Sequence, residues 1–170
     1  TNSDGGDRNV QIAEVMQKMF KENLNINVKI NAVPFPQHLD AFERGKVPFF
    51  REGWIADYPD PQTFLNLLYG PNVPNDSTAR SYSNPFRYRN PRFDSLYSKA
   101  LVALTDTERY RLYREADQAA LDDAPYLCVF YEENYYLYHN YVNNFYGNAM
   151  DYLDLDKVYV IPADKRASTN

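Results

Sequence analysis

Two helical patterns follow one another between Asn90 and Pro125, and they constrain the fold more than any other part of the chain. Asn90-Pro91 offers a capping side chain and then a proline at the first helical position, where its missing N–H is not needed. Phe93, Leu96, Tyr97, Ala100, Leu101 and Leu104 then recur on one face. Thr105-Asp106-Thr107-Glu108 is a capping-box pattern, and it opens a second helix with Tyr113, Ala116, Ala120 and Leu121 inward. Asp122 to Pro125 stops that helix. A pair of apolar helix faces needs a surface to pack on, and the flanking sequence supplies alternating elements.

Val10, Ile12, Val15, Met16, Met19, Phe20 and Leu24 predict an amphipathic helix of about four turns, broken at Asn25. Ile26, Val28, Ile30 and Ala32 then alternate with Asn27, Lys29 and Asn31, the pattern of a half-buried strand ended by Pro34 and Pro36. Phe35, Leu39 and Phe42 predict a short helix that Gly45 closes as its C′ residue. Val47 to Trp54 reads as the next strand, with Pro48 near its start, and a helix ends near Tyr69. Residues 70–90, with Pro71, Pro74 and Pro85, form an irregular loop of a length that is often functional. Tyr126 to Tyr131 and Tyr135 to His139 predict a hairpin joined by Glu132-Glu133-Asn134. Tyr141 to Ile161 shows weak periodicity, and Pro162 to Asn170 reads as a polar tail. Strand and helix in alternation predict an α/β fold, a sheet with helices packed on its faces.

Composition narrows the function classes. At 170 residues the chain is long enough for one domain with a real core, or for one domain and a dependent tail. No apolar run approaches the roughly 20 residues of a membrane-spanning helix. The net charge is −5 and no basic cluster is dense enough to track a phosphate backbone, which argues against nucleic acid as a partner. Sixteen Tyr, ten Phe and one Trp can line a cleft or fill a sheet core. Cys128, the only cysteine, lies in the apolar run Tyr126 to Phe130 and reads as a buried, inert thiol. The chain opens Thr1-Asn2-Ser3-Asp4-Gly5-Gly6 without a charged and apolar leader, which fits a cytosolic protein or a longer protein whose front is missing.

The chemistry concentrates in Gly53-Trp54-Ile55-Ala56-Asp57-Tyr58-Pro59-Asp60-Pro61, between a predicted strand and a predicted helix. A Trp and a carboxylate at such a junction put a stacking surface and a negative charge where α/β sheets bind ligands. A core Trp beside an N-capping Asp fits the same letters. Asp57 and Asp60 also suit a carboxylate pair for acid and base work, though two aspartates before a helix more commonly cap it. His38 and His139 are far apart, without Cys or carboxylates at metal-ligand spacing, so no metal site is expected. There is no Gly-rich phosphate loop, no G-x-S-x-G and no C-x-x-C, and the chain is not expected to be an enzyme or to hold a cofactor.

Trp54 to Pro61 resembles the signature region of the family 5 extracellular solute-binding proteins, the dipeptide and oligopeptide receptors of ABC importers. Asn90-Pro91-Arg92-Phe93-Asp94 resembles that family's Asn-Pro-x-x-Asp helix start, and Thr105 to Pro125 with Leu127 to Tyr131 is similar to its long helix, Ala-Pro turn and strand. Gly5-Gly6, Ile12 to Phe20 and Ile26 to Ile30 are similar to the start of its C-terminal lobe. The resemblance implies a type II periplasmic-binding-protein-like fold with a mixed sheet and helices on both faces. Residues 1–140 would be the C-terminal ligand-binding lobe and 141–170 a return segment toward an absent N-terminal lobe, plus the tail.

It further implies a periplasmic or cell-surface protein, lipid-anchored and monomeric, that captures short peptides and delivers them to permease subunits. By resemblance Asp57 would pair with the ligand α-ammonium group, and Trp54 would wall a side-chain pocket, with Ile55 and Ala56 beside it. Arg51 would meet the ligand carboxylate, for which its planar fork is suited, or else form a surface ion pair with Glu52 or a neighbour. Tyr82, Ser83 and Asn84 stand where a site-lining loop is expected. Relatives of this shape bind nickel complexes, haem or oligosaccharides, and the aspartate does not separate these. A ligand-sensing domain of a regulator with the same fold and an aspartate-based hydrolase are the competing classes.

Overall fold

Local sequence decides where the helices begin and end. The computed structural model describes residues 1–4, 6–148 and 150–166. Among these the helices are α1 (Asp7–Leu24), α2 (Phe35–Glu43), α3 (Gln62–Leu65), α4 (Pro91–Leu101) and α5 (Asp106–Asp123). Short 3-10 turns occupy Asn66–Leu68, Gly70–Asn72 and Ala163–Lys165, and the strands are β1 (Val142–Asn143) and β2 (Tyr159–Val160). The chain divides into two compact units, Thr1–Trp54 with Pro61–Leu127, and Ile55–Asp60 with Cys128–Asn170.

The core of the first unit is the α4 and α5 pair. Leu65, Leu68, Phe93, Tyr97, Ala100, Leu112, Tyr113, Ala116 and Ala120 form one buried cluster. Tyr97 is its centre, with the ring of Phe93 stacked at 6.0 Å and that of Tyr69 at 4.7 Å. Fully burying side chains of this size stabilises by about 1.5–3 kcal/mol each. Alanines 100, 116 and 120 let the two helices approach closely, because no side chain beyond a methyl separates them. Leu104, expected on this face, is wholly exposed, and Leu101 and Leu121 are half exposed. The reason is length: α4 ends at Leu101, so Leu104 falls in the turn rather than on the helix.

Capping follows the sequence signals closely. Asn90 Oδ1 accepts from the amides of Arg92 and Phe93 at 2.8 and 3.1 Å. Thr105 Oγ1 accepts from the Glu108 amide at 3.3 Å, while the Glu108 carboxylate turns to Arg111 at 2.7 Å. Gly45, at φ 66°, ends α2 as a Schellman motif: its amide bonds to the Phe42 carbonyl and that of Lys46 to the Ala41 carbonyl. Asn25 ends α1 in the left-handed region at φ 55°. No residue of α1 is buried, and Val15, Met19 and Leu24 are more than half exposed.

The sheet is where expectation and structure part. Among the described residues the ladder consists of β1 and β2, antiparallel with Val142 opposite Val160, plus one parallel bridge between Asn2 and Val33. Residues 26–32, 47–54 and 126–139 carry no strand, and neither the two N-terminal strands nor the hairpin forms. Alternation marks a segment fit for a ladder, yet a ladder also needs a neighbour at about 4.8 Å, which single-chain periodicity does not report. Cys128 is exposed rather than buried for the same reason, since no neighbouring strand covers its run. The helix expected to reach Tyr69 is the single turn α3, continued by 3-10 turns.

Candidate functional site

The segment leading into the site is held from both sides inside the first unit. Arg51 donates from Nη1 to Asn9 Oδ1 of α1 at 2.9 Å. Its carbonyl oxygen lies 3.2 Å from His38 Nε2 of α2, and the same nitrogen lies 2.8 Å from Glu52 Oε2. The Glu52 carboxylate thus meets His38 through one of its oxygens, and the Arg51 guanidinium meets Asn9. Trp54 donates from its indole Nε1 to Thr63 Oγ1 at 3.2 Å, and Thr63 is buried. The residue as a whole stays 38% exposed, and the bond to Thr63 anchors one edge of the indole.

Ile55, Ala56 and Asp57 belong to the second unit. Asp57 and Ile55 are exposed and Ala56 is half-buried. The N-cap position of α3 belongs to Pro61, so neither Asp57 nor Asp60 is the capping residue there. Among the described residues no cluster of His, Cys, Asp and Glu is fit to hold a metal ion.

The loop over residues 70–90 has a defined shape, set from beneath by Asn84. That side chain is fully buried; its Nδ2 donates to the carbonyls of Tyr69 and Tyr88 at 3.1 and 2.9 Å, and its Oδ1 accepts from the Tyr88 amide. Ser81 Oγ donates to the Asn84 carbonyl at 2.6 Å, and Arg87 donates to the carbonyls of Glu43 and Ala79. Gly70 donates its amide to Asp94 Oδ1, and a Cβ there would stand 2.5 Å from Asp94 Oδ2. Tyr82 is 67% exposed at the surface of this loop and Ser83 is half-buried. Tyr88 donates to Asp123, tying the loop's end to α5; burial, then that carboxylate, pushes the phenol up to about 12.

Sequence reasoning named Arg51, Trp54, Asp57, Tyr82 and Ser83 but missed what holds them. Asn9 and Thr63 carry no distinguishing pattern. His38 was weighed only as a metal ligand, although its spacing of four from Phe42 put both on one helix face.

Residues 1–76, which contain the whole of Arg51 to Asp57, match the model of the bacterial extracellular solute-binding proteins, family 5 Middle. The periplasmic oligopeptide-binding protein OppA of Salmonella typhimurium is 30% identical over 156 residues, 91% of this chain and 27% of that protein. The chain belongs to family 5 of the extracellular solute-binding proteins. Among solved structures of the family, the Escherichia coli murein tripeptide binding protein MppA aligns with a TM-score of 0.63 at 27% identity, over 73% of this chain and 22% of that one. Burkholderia pseudomallei OppA aligns with a TM-score of 0.61 at 30% identity, over 70% and 22%. The chain thus spans about a quarter of the length of the curated family 5 relatives it matches. These neighbours give it the type II periplasmic-binding-protein-like fold class.

Proposed function

We propose that this chain is part of the substrate-binding component of an ABC importer, which captures short peptides between two lobes and delivers them to permease subunits at the membrane. Asp57 pairs with the peptide's α-ammonium group, Trp54 stacks on or walls a side chain, and Arg51 meets a carboxylate. Ile55 and Ala56 flank the peptide backbone, with Tyr82 and Ser83 contributing from the loop over 70–90. The site performs no covalent chemistry. Its action is closure, in which contacts made only in the closed form shift the population toward it.

The reading extends to architecture and place. Residues 1–140 serve as the C-terminal lobe and 141–170 as the return segment. The segments 26–32, 47–54 and 126–139 are strands of a mixed sheet completed by partners outside this sequence. The protein works as a monomer in the periplasm or at the cell surface, lipid-anchored in the latter case.

The observation that carries the proposal is the exposed Asp57 in a stretch that falls wholly within the family match. Calorimetry of short peptides with the protein as its host makes it tests the reading. Asp57→Asn is expected to weaken binding roughly 10- to 100-fold, the cost of losing a charged hydrogen bond of about 1.5–3 kcal/mol. Blocking the peptide's amino group by acetylation should cost as much in the parent and little more in the variant. Equal affinity of parent and variant for the free peptide would remove the anchor.

A further inference from the structure

His38 is 3% exposed, and its Nε2 faces two acceptors at once, the Glu52 carboxylate and the Arg51 carbonyl. A nitrogen between two acceptors must carry the hydrogen, so the ring donates to both and its tautomer is fixed. This ties α2 to the backbone just ahead of Trp54, while Asn9 ties the Arg51 side chain to α1. Arg51 is therefore gripped at its main chain by one helix and at its guanidinium by another. We propose that His38 is a positioning residue for ligand capture: its clamp on Arg51 and Glu52 sets where Arg51 and Trp54 stand, and makes peptide affinity depend on pH. The inference rests on the reading of Arg51 and Trp54 as ligand contacts.

The sign follows from the partners. An imidazolium donating to a carboxylate makes a charge-assisted bond, shorter and stronger than that of the neutral ring. A charged ring facing the Glu52 carboxylate makes the tighter clamp and a neutral ring the looser one. The other charged group at the pair is the Arg51 guanidinium, held by Asn9 Oδ1. On α2, Asp40 is engaged by Arg44, Lys46 and Arg80, and Glu43 by Arg80. Phe42 packs its ring 5.4 Å from that of His38, closing the apolar side.

The test uses the protein as its host makes it, with Ala-Ala-Ala as probe, titrated calorimetrically from about pH 5.5 to about pH 8, the range in which imidazoles change charge. Trp54 emission, taken as the difference from Trp54→Phe, reads the segment without any ligand. Affinity in the parent should fall as pH rises. His38→Ala should lose about tenfold, the worth of a buried hydrogen bond to a charged group. His38→Gln keeps a donor at the Nε2 position and cannot titrate; it should recover most of that loss and flatten the pH profile. Glu52→Gln should flatten it too, and the peptide's own titration is common to all forms and cancels.

Wild-type affinity and profile in His38→Ala, or a full profile in His38→Gln, would overturn the proposal, and His38→Gln decides the matter if the alanine form does not fold. Should Ala-Ala-Ala bind no form while Trp54 emission titrates in the parent and not in His38→Gln, the clamp stands and the peptide reading falls. A pH-silent Trp54 in the parent overturns the clamp whatever binds.

Discussion

Asp40 shows how single side chains set the pH response of this chain. Hydrogen bonds from Arg44, then Lys46, hold its carboxyl down from 3.8 to about 2, and Arg80 adds a third cation at 2.7 Å. A carboxyl depressed in the folded state contributes stability that is complete above its unfolded value and is lost as pH falls through the folded one. Denaturant midpoints should therefore drop between about pH 4 and about pH 2, and Asp40→Asn should show a smaller drop across that window. An unchanged slope in the variant would mean that the three cations stabilise nothing at this half-buried site. At this scale the sequence was informative about chemistry and silent about partners. Trp54 and Asp57 stand out as candidates because a Trp and a carboxylate at an expected strand-to-helix junction are few in kind. Thr63, Asn9 and His38 could not, because the bonds that matter join residues far apart in the chain.

Helix ends were legible because their signals are local. Asn90-Pro91, Thr105 and Gly45 each occupy the terminal position their chemistry predicts, since a cap bonds to amides or carbonyls within a few residues of itself. Asn90→Ala removes two such bonds at the start of α4, and it also removes the Nδ2 donation to Asp123 at 2.6 Å. A loss of about 1–2 kcal/mol in unfolding free energy is expected, with Asn90→Ser, which keeps a capping oxygen and adds no charge beside Asp123, losing less. Chemical denaturation of the three forms measures it, and equal midpoints would show the cap to be idle. Strands were not legible in the same way. Ile26 to Ala32 alternates as a strand should, but its pairing depends on which backbone lies alongside, and alternation says nothing of that.

For the molecule as a whole, stability is expected to be uneven. The buried cluster around Tyr97 joins α3, α4 and α5, whereas residues 128–139 carry no ladder and expose Tyr131, Tyr135 and Leu137 almost completely. Hydrogen exchange on the 170-residue chain should find the amides of Tyr97, Ala100 and Ala116 among the slowest and those of 128–139 among the fastest. Slow exchange throughout 128–139 would show that this segment finds strand partners within the chain. One further consequence belongs to Asn84. A loop whose course is fixed by an amide on its inner side need not spend its outer side chains on keeping that course. Positions such as Tyr82 are then open to replacement over evolutionary time while the underlying bend is inherited intact.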